Sequence, residues 1–239
     1  MTENQQGPNS QYNFAPPASL SVRIAARVRR RMFKRFMHNF APDERDDVLD
    51  IGVTSDRTYE SSNYFEALYP FKERLVAAGL DDASFLEQVY PGVKFVFANA
   101  LNLPFRDGSF GFVHCAAVWE HVGNVERQAA MLAECLRVAR RGVCLTTPNR
   151  WFPIEVHTQI PLLHWLPKHL HRAFLARTKF RALAQESHLN LMTGREVRDL
   201  AKHHPAWSFK LEYETVLGWP SNILCFAKKR RNDRGGGVA

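Results

Sequence analysis

At 239 residues, with 45% hydrophobic and 12% aromatic side chains, the chain can bury a core of ordinary domain size, which excludes a disordered polymer. No apolar run approaches the roughly 18 residues of a membrane-spanning helix, and the start, MTENQQGPNSQYNF, lacks the basic and apolar regions of a secretory signal. Cys115, Cys135, Cys144 and Cys225 lie singly in apolar segments and read as reduced core residues of a cytosolic protein; no metal-ligand set is expected.

The formal charge of +8 and the pI near 9.5 are concentrated rather than spread. Residues 1–18 read as a disordered tail, and 231–239 as another. Between Arg23 and Arg35 stand seven positive residues and no acid. A helix over 20–40 would put Arg23, Arg27, Arg30, Arg31 and Lys34 on one face and Ile24, Val28, Met32, Phe36 and Phe40 on another. Two readings stand: a helix packing its apolar stripe with a solvated basic back, or one lying on anionic lipid or nucleic acid phosphate.

From there the segments alternate. VLDIG (48–52) reads as a buried strand, 58–70 as a region with a short helix stopped by Pro70, and RLVAAGLD (74–81) as a second strand. A short helix near 83–90 precedes strands at 93–100 and 111–117, and a helix capped by Asn124 runs to about 139. GVCLTT (142–147) is the fifth strand. This alternation implies βαβ units and a Rossmann-like, doubly wound, mostly parallel α/β sheet. Residues 149–190, rich in Trp, His, Pro and Arg, read as a cap inserted into a single domain over 19–230. Thr193 to Glu196 forms a capping box that starts a helix. FKLEYETV and SNILCFAKK, joined through Gly-Trp-Pro, close the fold as a hairpin, for seven strands in all.

Three features stand at the carboxyl ends of successive strands, where open α/β sheets bind ligands. Asp50-Ile51-Gly52 makes a tight turn, Asp81 offers a carboxylate for the two hydroxyls of a ribose, and Asn99-Ala100 offers an amide for an adenine edge.

The stretch NALNLPFRDGSFGFVHCAAVWEHV closely resembles the segment after the third strand in class I S-adenosylmethionine-dependent methyltransferases of the small type-11 kind, with similarity over roughly 45–150. That resemblance implies a methyltransferase whose cofactor is S-adenosyl-L-methionine. It places Asp50, Gly52, Thr54 and Asp56 at the methionine end, Asp81 on the ribose, Asn99 and Ala100 on the adenine, and the backbone around Ala116 beside the sulfonium. The chain departs from the family in the loop GVTSD, which lacks the second and third glycines; Asn99 and Gly111 replace acids; and Asp50 and Asp81 stand 31 positions apart. Because the cofactor carries no phosphate, no nest of amides is needed, and Thr54, Ser55 and Asp56 are candidates for its charged amino acid end. Tyr59 or Tyr64 is a candidate lid.

The sulfonium methyl is already electrophilic, so an oxygen nucleophile needs alignment and a general base. His121, His157 and Glu155 are the candidates, and Arg150 either holds an acidic substrate group or pairs with Glu155. The apolar and basic cap suits a small-molecule, glycan or lipid-linked acceptor, with peripheral membrane contact through 20–40. The alternatives are an RNA or protein methyltransferase, and a silent member of the fold that only binds.

Overall fold

The computed structural model describes residues 19–59 and 61–230, so both expected tails lie outside the described residues. Helix α1 (Leu20–Phe40) begins where the Ser19 side chain accepts from the Val22 amide, and ends at Ala41 in the left-handed region (φ 45°) before Pro42. It buries Val28, Met32, Phe36 and Phe40, the expected stripe except for Ile24, which stays exposed. Arg31 and Arg35 both reach Glu214, at 2.8 and 2.5 Å, and Arg35 also meets Glu212. Arg29 donates to the Ser61 carbonyl. Three cations of the run are thus spent on docking the helix, while Arg23, Arg27, Arg30 and Lys34 face solvent.

The sheet holds seven strands in the order β3-β2-β1-β4-β5-β7-β6. Strands β1 (Val48–Ile51), β2 (Leu75–Gly79), β3 (Lys94–Phe97), β4 (Phe110–Ala116) and β5 (Ala139–Pro148) run parallel. The chain winds outward from β1 to β3, then crosses back to lay β4 on the other side of β1. That reversal makes the carboxyl ends of β1 and β4 the switch point of the sheet, where open sheets of this kind take ligands in a crevice. Between the strands lie α2 (Tyr64–Leu68), α3 (Leu86–Val89) and α4 (Val125–Val138), the last capped by Asn124 as expected.

Strands β6 (Trp207–Val216) and β7 (Trp219–Lys229) add antiparallel, with β7 inserted against β5. Their turn is Leu217-Gly218, both at positive φ (50° and 82°), rather than Gly-Trp-Pro. Two residues at positive φ match the twist of a two-residue hairpin, so Trp219 and Pro220 are released into the strand. Strand β5 starts three residues earlier than its apolar run, because pairing to β4 extends through the solvated Arg140 and Arg141.

Two apolar layers sandwich the sheet. Leu49, Ile51, Val113, Met131, Leu132 and Ile223 pack under α4 and α6 (Gly194–Ala201); Val48, Phe36, Phe65, Phe112 and Phe226 pack under α1 and α2. The cap carries α5 (Lys168–Leu175) and its own small core of Leu175, Phe180, Leu183, Leu189 and Leu191. Thr193 and Glu196 make the full capping box that starts α6. All four cysteines are buried thiols, and no described helix is long and apolar enough to cross a membrane.

Candidate functional site

The crevice is built around Gly52. It stands at φ +101°, and its amide donates to the Ala78 carbonyl at 2.7 Å, so the chain turns sharply off β1 while still tied to β2. A Cβ at this position would lie 2.1 Å from Val118 Cγ2 and 3.7 Å from the Ala116 carbonyl. The single retained glycine therefore brings the β1 turn against the end of β4, and nothing larger fits. Ala117, just beyond Ala116, is itself left-handed (φ 58°) and donates its amide to Thr146, fixing how the chain leaves β4.

The loop after Gly52 is held by its own polar groups. Asn63 brackets Thr54, accepting from its amide at 3.0 Å and donating to its carbonyl at 2.9 Å. The Thr54 hydroxyl accepts from the Asp56 amide, and Asp56 accepts from the Thr58 amide and the Ser62 hydroxyl. These hydroxyls and this carboxylate shape a glycine-poor loop. Arg57 stacks 4.1 Å over Phe85 and carries the loop across the end of β2. Tyr64 is no lid: it is buried in α2 with its hydroxyl 3.2 Å from His114 Nε2.

The Asp50 side chain is engaged by His114. Side chains alternate along β1, so Asp50 shares the α1–α2 face with Val48 while Leu49 and Ile51 face α4. Its carboxylate lies 2.5 Å from His114 Nδ1, in a box closed by Phe36 and Phe65. Burial pushes Asp50 up to about 7, with Glu66 and the Ile51 amide drawing it back, and pushes His114 down to about 3. Glu66, fully buried with no hydrogen bond on either oxygen, is held well above the carboxylate range by burial and by Asp50. His114 and Glu66 were not singled out in the sequence, and Tyr64 only as a lid; an acid and a histidine at paired positions of neighbouring strands are the signal that points to them.

Asp81 stands two residues beyond β2, half-buried, and burial raises its carboxyl. Asn99 turns its Oδ1 onto the Leu101 amide at 3.0 Å, an Asx turn that shapes the segment after β3. Ala100 is buried beside it, and Ala116 is partly buried at the end of β4.

Beyond β4 and β5 the remaining candidates converge, although some 35 positions separate them in sequence. Glu120 is fully buried; its Oε2 accepts from the Thr147 hydroxyl at 2.9 Å, and its Oε1 has no hydrogen-bond partner. His121 Nδ1 sits 2.6 Å from the His188 carbonyl, and its Nε2 lies 3.9 Å from Glu120 Oε1. The His157 ring packs edge-on to that of His121, with centroids 4.9 Å apart. Glu155 fixes His157 through Nδ1 at 2.5 Å and accepts the amides of His157 and Thr158. Burial pushes Glu155 up, but His157 and those amides outweigh it and bring it to about 2; burial lowers His157, and Glu155 outweighs that, leaving it raised. The Asn190 amide donates to the Glu120 carbonyl, so the cap is bonded directly to this cluster.

Arg150 does not pair with Glu155. It donates to the His164 and Leu166 carbonyls, and with Lys168, His171 and Arg172 it lines a small basic recess in the cap. Lys168 and Arg172 are neutralised by Glu196 and Glu186; Arg150 meets only carbonyls among these contacts.

Residues 64–146 match the family described as a methyltransferase domain. The matched residues, from α2 to β5, thus carry a methyltransferase domain of the type-11-like kind, and this match supports S-adenosyl-L-methionine as the cofactor. Among solved structures it is similar to a protein from Pyrococcus horikoshii (15% identity, 92% of this chain and 96% of that one, TM-score 0.58). It is also similar to a Burkholderia thailandensis 1,6-didemethyltoxoflavin-N1-methyltransferase with bound S-adenosylhomocysteine (14%, 87% and 80%, TM-score 0.57). A third is the magnesium protoporphyrin IX methyltransferase of Synechocystis (12%, 88% and 86%, TM-score 0.55). At these identities the likeness is one of fold. No curated protein matches the chain by sequence.

Proposed function

We propose that this methyltransferase acts on an oxygen of a small-molecule, glycan or lipid-linked acceptor that carries an anionic group. The observation that carries this reading is the convergence of Glu120, His121, Glu155 and His157 beyond β4 and β5, next to the crevice at Gly52. Carbon and nitrogen acceptors differ in what they ask of a site, and a hydroxyl asks for a group that makes it nucleophilic.

S-adenosylmethionine supplies an electrophilic methyl group. The chain's residues fit it without a phosphate nest: Gly52 lets the β1 turn close against Val118 at the end of β4 with no side chain between them, and the half-buried Asp81 carboxylate suits a pair of ribose hydroxyls. Gly52, Asp81, Ala100 and Ala116 hold the cofactor in this reading, with Thr54, Asp56 and Asn99 shaping the loops around it and Asp50 supporting the turn from behind. His157, fixed by Glu155 and braced by His121, faces the acceptor oxygen, and the hydroxyl proton leaves through this cluster. Arg150 receives the acceptor's anionic group in the basic recess.

Support for an amphipathic acceptor comes from the cap surface, where Trp151, Ile154, Leu162, Leu166, Leu170 and Phe174 are all exposed. With the solvated Arg23, Arg27, Arg30 and Lys34 on α1, the same molecule offers apolar and basic surface to an anionic membrane. The test is product analysis by mass spectrometry, using methyl-labelled cofactor with lipid, glycan and RNA extracts. Label in an ether or ester of the lipid or glycan fraction supports the reading; label in RNA, or on nitrogen, overturns the acceptor class.

A further inference from the structure

We propose that Glu120, His121 and His157 form a binding site for a divalent first-row transition metal ion. One donor atom from each lies within 4.8 Å of the other two. Metal bonds of about 2.1 Å put neighbouring donors roughly 3–3.5 Å apart, so small side-chain rotations close the set around an ion.

The outer contacts argue for a metal more strongly than the separation does. Ligating histidines are normally fixed through their second nitrogen by a carboxylate or a backbone carbonyl. His157 Nδ1 is held by Glu155 at 2.5 Å, and His121 Nδ1 by the His188 carbonyl at 2.6 Å. Glu120 repeats the arrangement, with Oε2 held by the Thr147 hydroxyl at 2.9 Å and Oε1 turned toward His121. Each residue is thus gripped on its far atom, which fixes how the side chain is turned toward the other two.

Glu120 supplies the independent sign. Its side chain is 0% exposed and Oε1 meets no hydrogen-bond donor, an arrangement that costs free energy unless something satisfies that oxygen. A cation between the two imidazoles would do so. Two imidazoles and one carboxylate suit zinc, iron, cobalt or manganese better than magnesium or calcium, and three protein ligands leave coordination positions open.

The site's use rests on the oxygen-acceptor reading above, with one change: with His157 as a ligand, the ion takes over from the imidazole in activating the hydroxyl. An acceptor hydroxyl on an open position would lose its proton to solvent water at lower pH, its O–H electrons staying on the oxygen, which then bonds to the methyl carbon as the methyl–sulfur bond breaks and its electrons leave with S-adenosylhomocysteine. Glu155 would act as a positioning residue, through His157.

The experiment is titration of the full chain, stripped with a chelator, by Zn2+ in a calorimeter and by Co2+ in visible absorption. The expected result is one ion per chain and intense d–d bands from a low-symmetry nitrogen and oxygen site. His121→Ala and His157→Ala should each lose that binding. Thr147→Val, which only releases Glu120, should weaken it about 10- to 100-fold. His169→Ala, on the exposed side of α5, should leave it unchanged. Zn2+ bound equally by wild type and the His121→Ala/His157→Ala double variant overturns the site, and so does a Co2+ spectrum of the hydrated ion. Should a variant misfold, the wild-type Co2+ spectrum still decides. Turnover that survives chelation but is lost in His157→Ala removes the metal and leaves the methyl-transfer reading intact. Metal binding without S-adenosylhomocysteine binding does the reverse.

Discussion

His114 Nδ1 lies 2.5 Å from Asp50 Oδ1, both side chains buried beneath the turn at Gly52. Tyr64 closes the other ring nitrogen and Glu66 faces Asp50, so four polar groups share few protons within an aromatic box. The turn at Gly52 thus rests on a polar cluster whose charge state depends on pH.

Glu66 makes that dependence testable. Its folded pKa is raised well above the ordinary value of 4.5, first by burial and then by Asp50. A raised acid stabilises fully below its unfolded pKa and loses that contribution as pH climbs toward the folded one. Wild type should therefore weaken on the alkaline side, with a slope approaching 1.4 kcal/mol per pH unit for about one proton. Glu66→Gln keeps the side chain's size, removes its titrating proton, and should flatten that limb in urea denaturation followed across pH. An unchanged slope in the variant assigns the proton elsewhere.

Gly52→Ala should damage both fold and site. The added Cβ meets Val118 Cγ2 at 2.1 Å, and the residue must keep φ +101°. A cost of about 1–3 kcal/mol is expected from the backbone alone. Pairing it with Val118→Ala removes the collision but not the strain, so the double variant should recover only part of the melting temperature. Full recovery would show that the backbone tolerates a side chain there.

Asp81→Ala should leave stability nearly intact and weaken cofactor binding. Two charge-assisted hydrogen bonds to a ribose are worth roughly 1.5–3 kcal/mol, or about ten- to hundred-fold in Kd. Calorimetry of both variants with S-adenosylhomocysteine reads this directly; equal affinities would place the ribose contact on another residue.

Glu214→Ala tests how α1 is docked. Glu214 is 3% exposed and bridges Arg31 and Arg35. Both arginines are about two-fifths exposed and can rehydrate, which keeps the cost near 1–2 kcal/mol, below that of breaking a fully buried pair. Amide exchange should rise mainly in α1. A uniform rise over the whole domain would mean that α1 belongs to the global unfolding unit.

The sheet was legible in the sequence because VLDI, FGFVHCA and GVCLTT are buried on both faces, which demands unbroken apolar runs. That Gly52 and Asp81 stand just beyond the ends of β1 and β2 was legible because an apolar run marks where its strand stops. The face that Asp50 takes was not legible: which side of the sheet a strand residue points to depends on a register of one, and the motif alone does not specify it. The partners of Glu120 were invisible for another reason. Thr147, His157 and Asn190 reach it from β5 and the cap, and no local periodicity reports where an insertion folds back. The hairpin turn shifted by one residue because Gly-Trp-Pro looks like a turn, while strand twist favours two consecutive residues at positive φ.

The most direct measurement is calorimetric titration of the full chain with S-adenosylhomocysteine. One saturable site per chain is predicted, with a matching rise in melting temperature and weaker binding in Asp81→Ala. No heat and no thermal shift at millimolar ligand would contradict the assignment of the Gly52 crevice as a cofactor site.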